Sequence, residues 1–428
     1  MKRRQFMQLL GVSGMAAYLP APFIKQANAA DPNHFWVMVH AGGGWDPTSL
    51  CDPKGNALRN DGRGPVNQYQ TEQIKSVGNI RYSPYPDSVT DPGIFDNFFT
   101  SYQSQLLVVN GIDHQTNSHS AGTRNAWSGS SDMGMPGFAA LVAAVTARDL
   151  PMTFLSNGGY DFTDSLVSPT RASGSGAFQE LAFPNRPNPN DSNQQFLDQN
   201  ENSSLDIHKL IVDASNKRLN RQIEQELLPQ RRTAMSQLFI ARNGKNNLNT
   251  LVNKLPGQIS GGMKGQAEIA VAAFASNMAV SANLVSGGFD THGNHDNSHF
   301  PRLATLLDGV DHLMQEINRH GLADRVTVVI GSDFGRTPYY NNGNGKDHWN
   351  VTSLMMLGAG VQGDRVVGAT DANFNALAIN PESLEVDPNG VVLTPSHVHQ
   401  NLRRLAGIEE SNITKKYGLS NTFINLLG

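Results

Sequence analysis

Polar and apolar positions along this chain repeat one theme. A short apolar run breaks off into a loop of glycines, acids or histidines, and a stretch with helical spacing follows. Residues 35–39 (FWVMV) predict a buried strand that opens into His40-Ala41-Gly42-Gly43-Gly44-Trp45-Asp46. Residues 106–109 (LLVV) predict a second, with Gly111-Ile112-Asp113-His114 behind it. Residues 138–149 have helical spacing, and residues 153–155 predict a short strand. Residues 267–281 read as an Ala-rich helix. Residues 283–285 lead into the Asp290 loop, residues 300–320 form an amphipathic helix, and residues 326–330 and 353–357 (SLMML) are strands. A helix over 396–406 closes the series. Strands alternating with helices imply parallel βαβ packing, so the fold class is α/β.

One segment departs from the theme. Residues 184–204 are rich in Asn, Pro, Asp and Ser and predict a loop. Residues 205–242 then read as a long charged amphipathic helix with a break at Pro229. Together they predict an inserted loop and helical subdomain over about 184–262, inside one domain of residues 30–428. Residues 56–100 and 158–204 are expected to be specificity loops.

The first 29 residues read as an address. Arg3-Arg4-Gln5-Phe6-Met7 precedes an uncharged, moderately hydrophobic stretch over 9–24, then Lys25 and a small-x-small site at Ala27-Asn28-Ala29. This resembles a twin-arginine (Tat) signal, which implies the Tat translocase as an export partner and a periplasmic or extracellular destination. That segment holds four basic residues and no acid, so its removal takes the formal charge from −4 to −8. An acidic chain argues against nucleic acid and anionic membrane as partners. No later apolar run reaches the length of a membrane span, so stable membrane insertion after cleavage is not expected. Cys51 is the only cysteine and reads as buried and inert.

The candidate chemistry sits in the loops. Asp46 follows three glycines and is either a metal ligand or a helix N-cap ahead of Pro47, with Asp52 a rival carboxylate. Thr116 to Ser130 (TNSHSAGTRNAWSGS) places Ser118, Ser120 and Thr123 near a helix start, where a hydroxyl meets unpaired N–H groups. Each is a candidate nucleophile or a plain cap, and His114 and His119 are ligands, substrate-orienting groups or solvated loop residues. Asp290, His292 and His295 share one loop, and Asp333 ends a strand. Arg336 either clamps an anionic substrate or pairs with Asp333. Asp347-His348 has the look of a carboxylate steadying a ligand imidazole. Asp and His together suit zinc or manganese.

GGGWD, SHSAGTRNAW, GGFDTHGNHD, SDFGRTP and KDHW, behind the twin-arginine start, resemble an uncharacterised Tat-exported family, the domain of unknown function 1501 family. That family is distantly similar to the alkaline phosphatase and sulfatase superfamily. The resemblance implies a three-layer sandwich around a mostly parallel sheet. It implies one or two divalent metals, with Asp46 and Asp333 on one and Asp290, His292 and His348 on the other. It implies Ser120 as nucleophile, Ser118 as its alternative, and hydrolysis of an anionic phosphate or sulfate ester, from a small molecule or a polymer. Three features depart from the superfamily pattern. Phe334 stands where an Asp-His pair is usual, Asn294 stands four residues after Asp290 where a His is common, and the sulfatase signature Cys/Ser-x-Pro-x-Arg is absent. A non-catalytic binding or assembly module of the cell envelope, with a degraded metal site, is the competing expectation.

Overall fold

Phe35 and Trp36 are neighbours in the first strand, so their rings leave opposite faces of the sheet. Phe35 stacks on Phe274 at 5.0 Å and Trp36 meets Phe138 edge-on at 4.9 Å. Both partners lie on helices, so a helical layer covers each face. The computed structural model describes residues 34–428 except 60, 88, 172–200, 229–230, 233–234, 236–247 and 420. The expected loop at 184–200 and the break at Pro229 lie outside the described residues.

The strands are β1 (Phe35–Gly42), β2 (Lys75–Val77), β3 (Ile80–Tyr82), β4 (Leu106–Asp113), β5 (Phe154–Ser156), β6 (Pro169–Thr170), β7 (Ser281–Gly287), β8 (Val326–Ser332), β9 (Gly335–Arg336), β10 (His348–Trp349), β11 (Val351–Gly358) and β12 (Arg365–Val367). The helices are α1 (Ile94–Tyr102), α2 (His119–Ser128), α3 (Phe138–Thr146), α4 (Glu201–Gln225), α5 (Leu248–Lys254), α6 (Gly262–Ala275), α7 (His295–Arg319) and α8 (Pro395–Leu405). Eight strands form one sheet in the order β12-β4-β11-β8-β1-β7-β5-β6. Every pairing is parallel except those of β11, which runs against β4 and β8. β8 (VTVVIGS) is buried along its whole length, as a strand covered on both faces must be. Each fully buried Val or Ile there contributes about 1.5–3 kcal/mol.

The sheet and its largely parallel order match expectation, and α4 and α5 form an inserted helical subdomain between β6 and α6. Four boundaries differ. The Ala-rich helix expected over 267–281 is α6, which runs from Gly262 to Ala275, and Ser281 opens β7. Residues 201–204, expected in a loop, are helical, and α4 ends at Gln225 rather than running to 242. α7 begins at His295 instead of 300, because His295 and His299, one turn apart, both turn inward and are fully buried. Residues 94–102, expected within a loop, form α1. Phe95, Phe98, Phe99 and Tyr102 are spaced for one helical face and are all buried.

Candidate functional site

Parallel strands present their carboxyl ends at one rim, where α/β sheets bind ligands. β4, β1, β7 and β8 deliver the loops of His119, Asp46, Asp290 and Asp333 to that rim. β11 is antiparallel, so its amino end reaches the same rim and brings His348 and Asp347 with it. Gly122 lets α2 settle on the end of β8, since a Cβ there would stand 2.4 Å from the Asp333 carbonyl oxygen. His119, three residues earlier, is thereby held against the Asp333 carboxylate.

Three imidazoles gather around the Asp290 carboxylate. His292 Nε2 lies 3.0 Å and His348 Nε2 3.2 Å from Asp290 Oδ1, and the two nitrogens are 3.1 Å apart. His119 Nε2 is 3.6 Å from Asp290 Oδ2. Among the described residues, the ligand atoms of His119, Asp290 and His348 all lie within 4.8 Å of one another, a candidate metal triad. His292 touches two of its three members. The partners of the other ring nitrogens fix the tautomers. His292 Nδ1 donates to Asp347 Oδ1 at 2.7 Å, His348 Nδ1 to the Asn117 carbonyl at 2.8 Å, and His119 Nδ1 to Asp333 Oδ2 at 2.6 Å. None of those acceptors carries a proton to give. Each neutral ring therefore keeps its proton on Nδ1 and turns a bare Nε2 lone pair toward Asp290. Three lone pairs and a carboxylate facing one another repel unless a cation sits between them. Donors on a tetrahedron with bonds of about 2.05 Å stand about 3.3 Å apart; His292, His348 and Asp290 Oδ1 are separated by 3.0 to 3.2 Å, while His119 approaches the other Asp290 oxygen and the triad as a whole spreads within 4.8 Å. His119, Asp290 and His348 could hold a metal ion, with His292 beside them.

Arg336 steadies this arrangement from below. It is fully buried and donates to the carbonyls of Gly43, Gly44 and Lys346 and to Asp290 Oδ1 at 2.6 Å. Partial burial pushes the Asp290 carboxyl up. The Arg336 hydrogen bond and charge, with help from His348 and His292, outweigh it and hold the group at about 2. Phe334 walls the cluster, its ring 4.8 Å from that of His119 and 4.5 Å from that of His348.

Several expected site residues take other work. Asp46 is buried and caps the short helix at Pro47–Ser49, accepting from the Thr48 N–H at 2.9 Å. Its carboxylate also accepts from Lys346 Nζ at 2.7 Å, Ser49 Oγ at 3.0 Å and His295 Nε2 at 3.2 Å, so no lone pair remains for the Asp290 cluster. The choice between ligand and cap falls to the cap, and His295 belongs with it rather than with His292. Asp333 stands beside the cluster and accepts from His119, from Gly43 N at 3.2 Å and from His40 Nε2 at 3.3 Å, so its contacts in the structure go to His119 and the β1 loop. Arg336 pairs with Asp290, not Asp333; it is fully buried, and four of its five N–H donors bond to protein. Ser118 is the N-cap of α2 and Ser120 its second residue; both are exposed, and neither hydroxyl bonds to the cluster. One residue along a helix is a turn of about 100°, so the position that aims at the rim is that of His119. His114 is buried rather than solvated, with Nδ1 2.6 Å from the Asp333 carbonyl oxygen. Sequence reasoning missed His40 as a partner of Asp333, although its place at the end of β1 was a signal.

An open groove runs from the cluster along α7, lined by Gly288, Asp290, His292, Asn297, Arg302 and Thr305 among others. Among the described residues, no helix is long and apolar enough to cross a membrane.

The chain is distantly similar in structure to Ps i-CgsB, solved in complex with k-i-k-neocarrahexaose, at 10% identity, covering 92% of this chain and 75% of that one with a TM-score of 0.40. Similar at the same distance are the lipoteichoic acid synthase LtaP of Listeria monocytogenes (7% identity, 92% and 76% covered, TM-score 0.37) and the alkaline phosphatase of the Antarctic bacterium TAB5 (8%, 89% and 99%, 0.34). No curated protein matches the chain. The model of one family matches residues 35–419, nearly all of the described sheet and every residue of the cluster, and the chain therefore belongs to DUF1501, a family of proteins of unknown function.

Proposed function

We propose that the protein is a metal-dependent hydrolase of phosphate or sulfate esters. The observation that carries this reading is the convergence of three bare imidazole nitrogens on the Asp290 carboxylate at the open rim of the sheet. His119, Asp290, His292 and His348 would hold one divalent cation, zinc before manganese. A cation there supplies a positive charge for an ester oxygen and acidifies water at neutral pH. The chain's own residues prepare for it. Asp347, Asn117 and Asp333 keep each imidazole proton on Nδ1, and Arg336 keeps Asp290 ionised. Half-exposed His292 and Asp290 leave the site open on the groove side. Ser118 and Ser120 are exposed and make no hydrogen bond to the cluster among the described residues, so water is the proposed nucleophile. A single cation replaces the two-metal expectation, because Asp46 and Asp333 are already satisfied.

The competing reading is a binding or assembly module with a degraded or single-metal site; in its favour, Phe334 packs against His119 and His348 at the position where the superfamily resemblance implies an imidazole. Metal content and turnover separate the two. One equivalent of zinc in the purified protein, with turnover of p-nitrophenyl phosphate or its bis-ester that a chelator and Asp290→Ala both abolish, supports the hydrolase. A zinc-loaded protein without turnover on phosphate and sulfate esters supports the module. We also propose Tat export to the periplasm or beyond. The Arg3-Arg4 segment supports it, and replacing both arginines with lysine should retain the protein in the cytoplasm.

A further inference from the structure

Arg302 stands out among the groove residues. It is exposed on α7, and among the described residues it makes no hydrogen bond or ion pair. Its guanidinium nonetheless has a defined seat. Gly288, at φ +94°, leaves room for it: a Cβ on that residue would stand 2.9 Å from Arg302 Nε and 3.2 Å from Cζ. Gly288 precedes Asp290 by two residues, so the guanidinium lies against backbone within about 7 Å of chain reach from the cation-binding carboxylate. A cation seated against a glycine, facing an open groove with no acid paired to it among the described residues, is arranged to receive an anion from outside. The groove continues past it. Asn297, Arg302 and Thr305 line α7 over nine residues, eight steps or about 12 Å of helix. That is longer than one phosphate or sulfate group needs.

We propose that Arg302 binds a second anionic group of the substrate, so that the ester hydrolysed at the His119–Asp290–His292–His348 cluster belongs to a molecule carrying at least two phosphate or sulfate groups. It rests on the reading of the site as a hydrolase of anionic esters. The substrate spans from cluster to guanidinium, with the reacting group at Asp290 and the second charge in the bidentate fork of Arg302. Arg336, the other arginine at this rim, is fully buried and places four of its five donors on Asp290 and carbonyl oxygens, so it does not face the groove.

The test is a binding measurement on the zinc-loaded full chain. The probes are 1,4-butanediol bisphosphate and butyl phosphate, titrated by calorimetry into the wild type, Arg302→Gln and Arg302→Lys. The wild type should bind the bisphosphate about tenfold or more tightly than the monophosphate, the range of one charge-assisted contact. Arg302→Gln should erase that preference while zinc affinity stays unchanged, and Arg302→Lys should restore part of it. A wild type without preference, or an Arg302→Gln variant that keeps it, overturns the assignment, as does failure of both probes to bind. Turnover is scored separately. A bisphosphate preference that depends on Arg302, in a protein that hydrolyses neither probe nor any aryl ester, would defeat the hydrolase reading and leave the second anion site standing.

Discussion

Replacing Asp347 with asparagine tests the tautomer argument without touching a proposed ligand. Asp347 Oδ1 accepts from His292 Nδ1 at 2.7 Å and from Asn341 Nδ2 at 3.1 Å, and the side chain is half exposed. Asparagine keeps the shape and one acceptor but removes the charge that favours a proton on Nδ1. Losing such a supporting carboxylate weakens metal binding by about 10- to 100-fold, or about 1.4–2.8 kcal/mol. The effect appears in stability through linkage. At free zinc 100 times the wild-type Kd, the cation adds about 2.7 kcal/mol to the folded state. At the same zinc concentration the variant should gain only about 0.4–1.4 kcal/mol. Without metal the two proteins should unfold within about 0.5 kcal/mol of each other, because the substitution is at the surface. Competition against a chromophoric chelator gives the affinity, and urea unfolding with and without zinc gives the linkage. His292→Ala, which deletes a donor, should lose more. An Asp347→Asn variant that binds zinc within twofold of the wild type would refute the claim that this hydrogen bond bares Nε2.

Arg336→Met leaves three carbonyl oxygens and Asp290 without their donor in a buried place, and should cost about 3–5 kcal/mol in urea unfolding. Arg336→Lys should rescue little, since one ammonium cannot reproduce the fork. Gly345→Ala should abolish zinc binding measured with the same chelator, because its Cβ would fall 1.9 Å from the His292 carbonyl carbon and drive the His348 loop off the His292 loop. Stability should fall on mild acidification: burial lowers His114 to about 4 and His399 to about 3, whereas both titrate near about 6.5 when unfolded, so below that pH the unfolded chain binds the extra protons. Each group should remove about 2 kcal/mol between pH 7.5 and 5, and His399→Gln should abolish about half of that combined loss in urea unfolding at the two pH values.

The fold was legible where both faces of an element are buried. FWVMV, LLVV, VTVVI and SLMML each declare a strand by length and continuity, and each is one. What a run of apolar residues does not carry is direction. β11 reads like its neighbours, yet it is antiparallel, and that reversal alone brings His348 to the rim. α1 is hard to read from sequence because its helical face is built of Phe and Tyr, which suit strands as readily as helices, and Asp91-Pro92-Gly93 stands directly ahead of it.

The site was legible as a set of loops but not as a set of partners. Asp290, His292 and His348 could be picked out because carboxylate and imidazole recur after strand ends. Asp46 and Arg336 follow the same local pattern and do different work, and the difference lies about 300 and 46 positions away along the chain, at Lys346 and Asp290. A carboxylate's neighbourhood in sequence does not say whether a buried ammonium will reach it. Here Lys346 does, and its place in the chain explains why that ion pair belongs to the site. Lys346 is the residue before Asp347 and two before His348. Its Nζ is anchored to Asp46 at 2.7 Å and to Asn67 Oδ1 at 2.8 Å, while its carbonyl accepts from Arg336. The ligand-bearing loop is thus pinned at one residue to the β1 loop and, through Arg336, to Asp290. Sequence neighbours on that loop, Lys346 inward and His348 at the rim, divide anchoring from binding. The imidazole cluster can stay half open to solvent because the groups that fix it are closed away beneath.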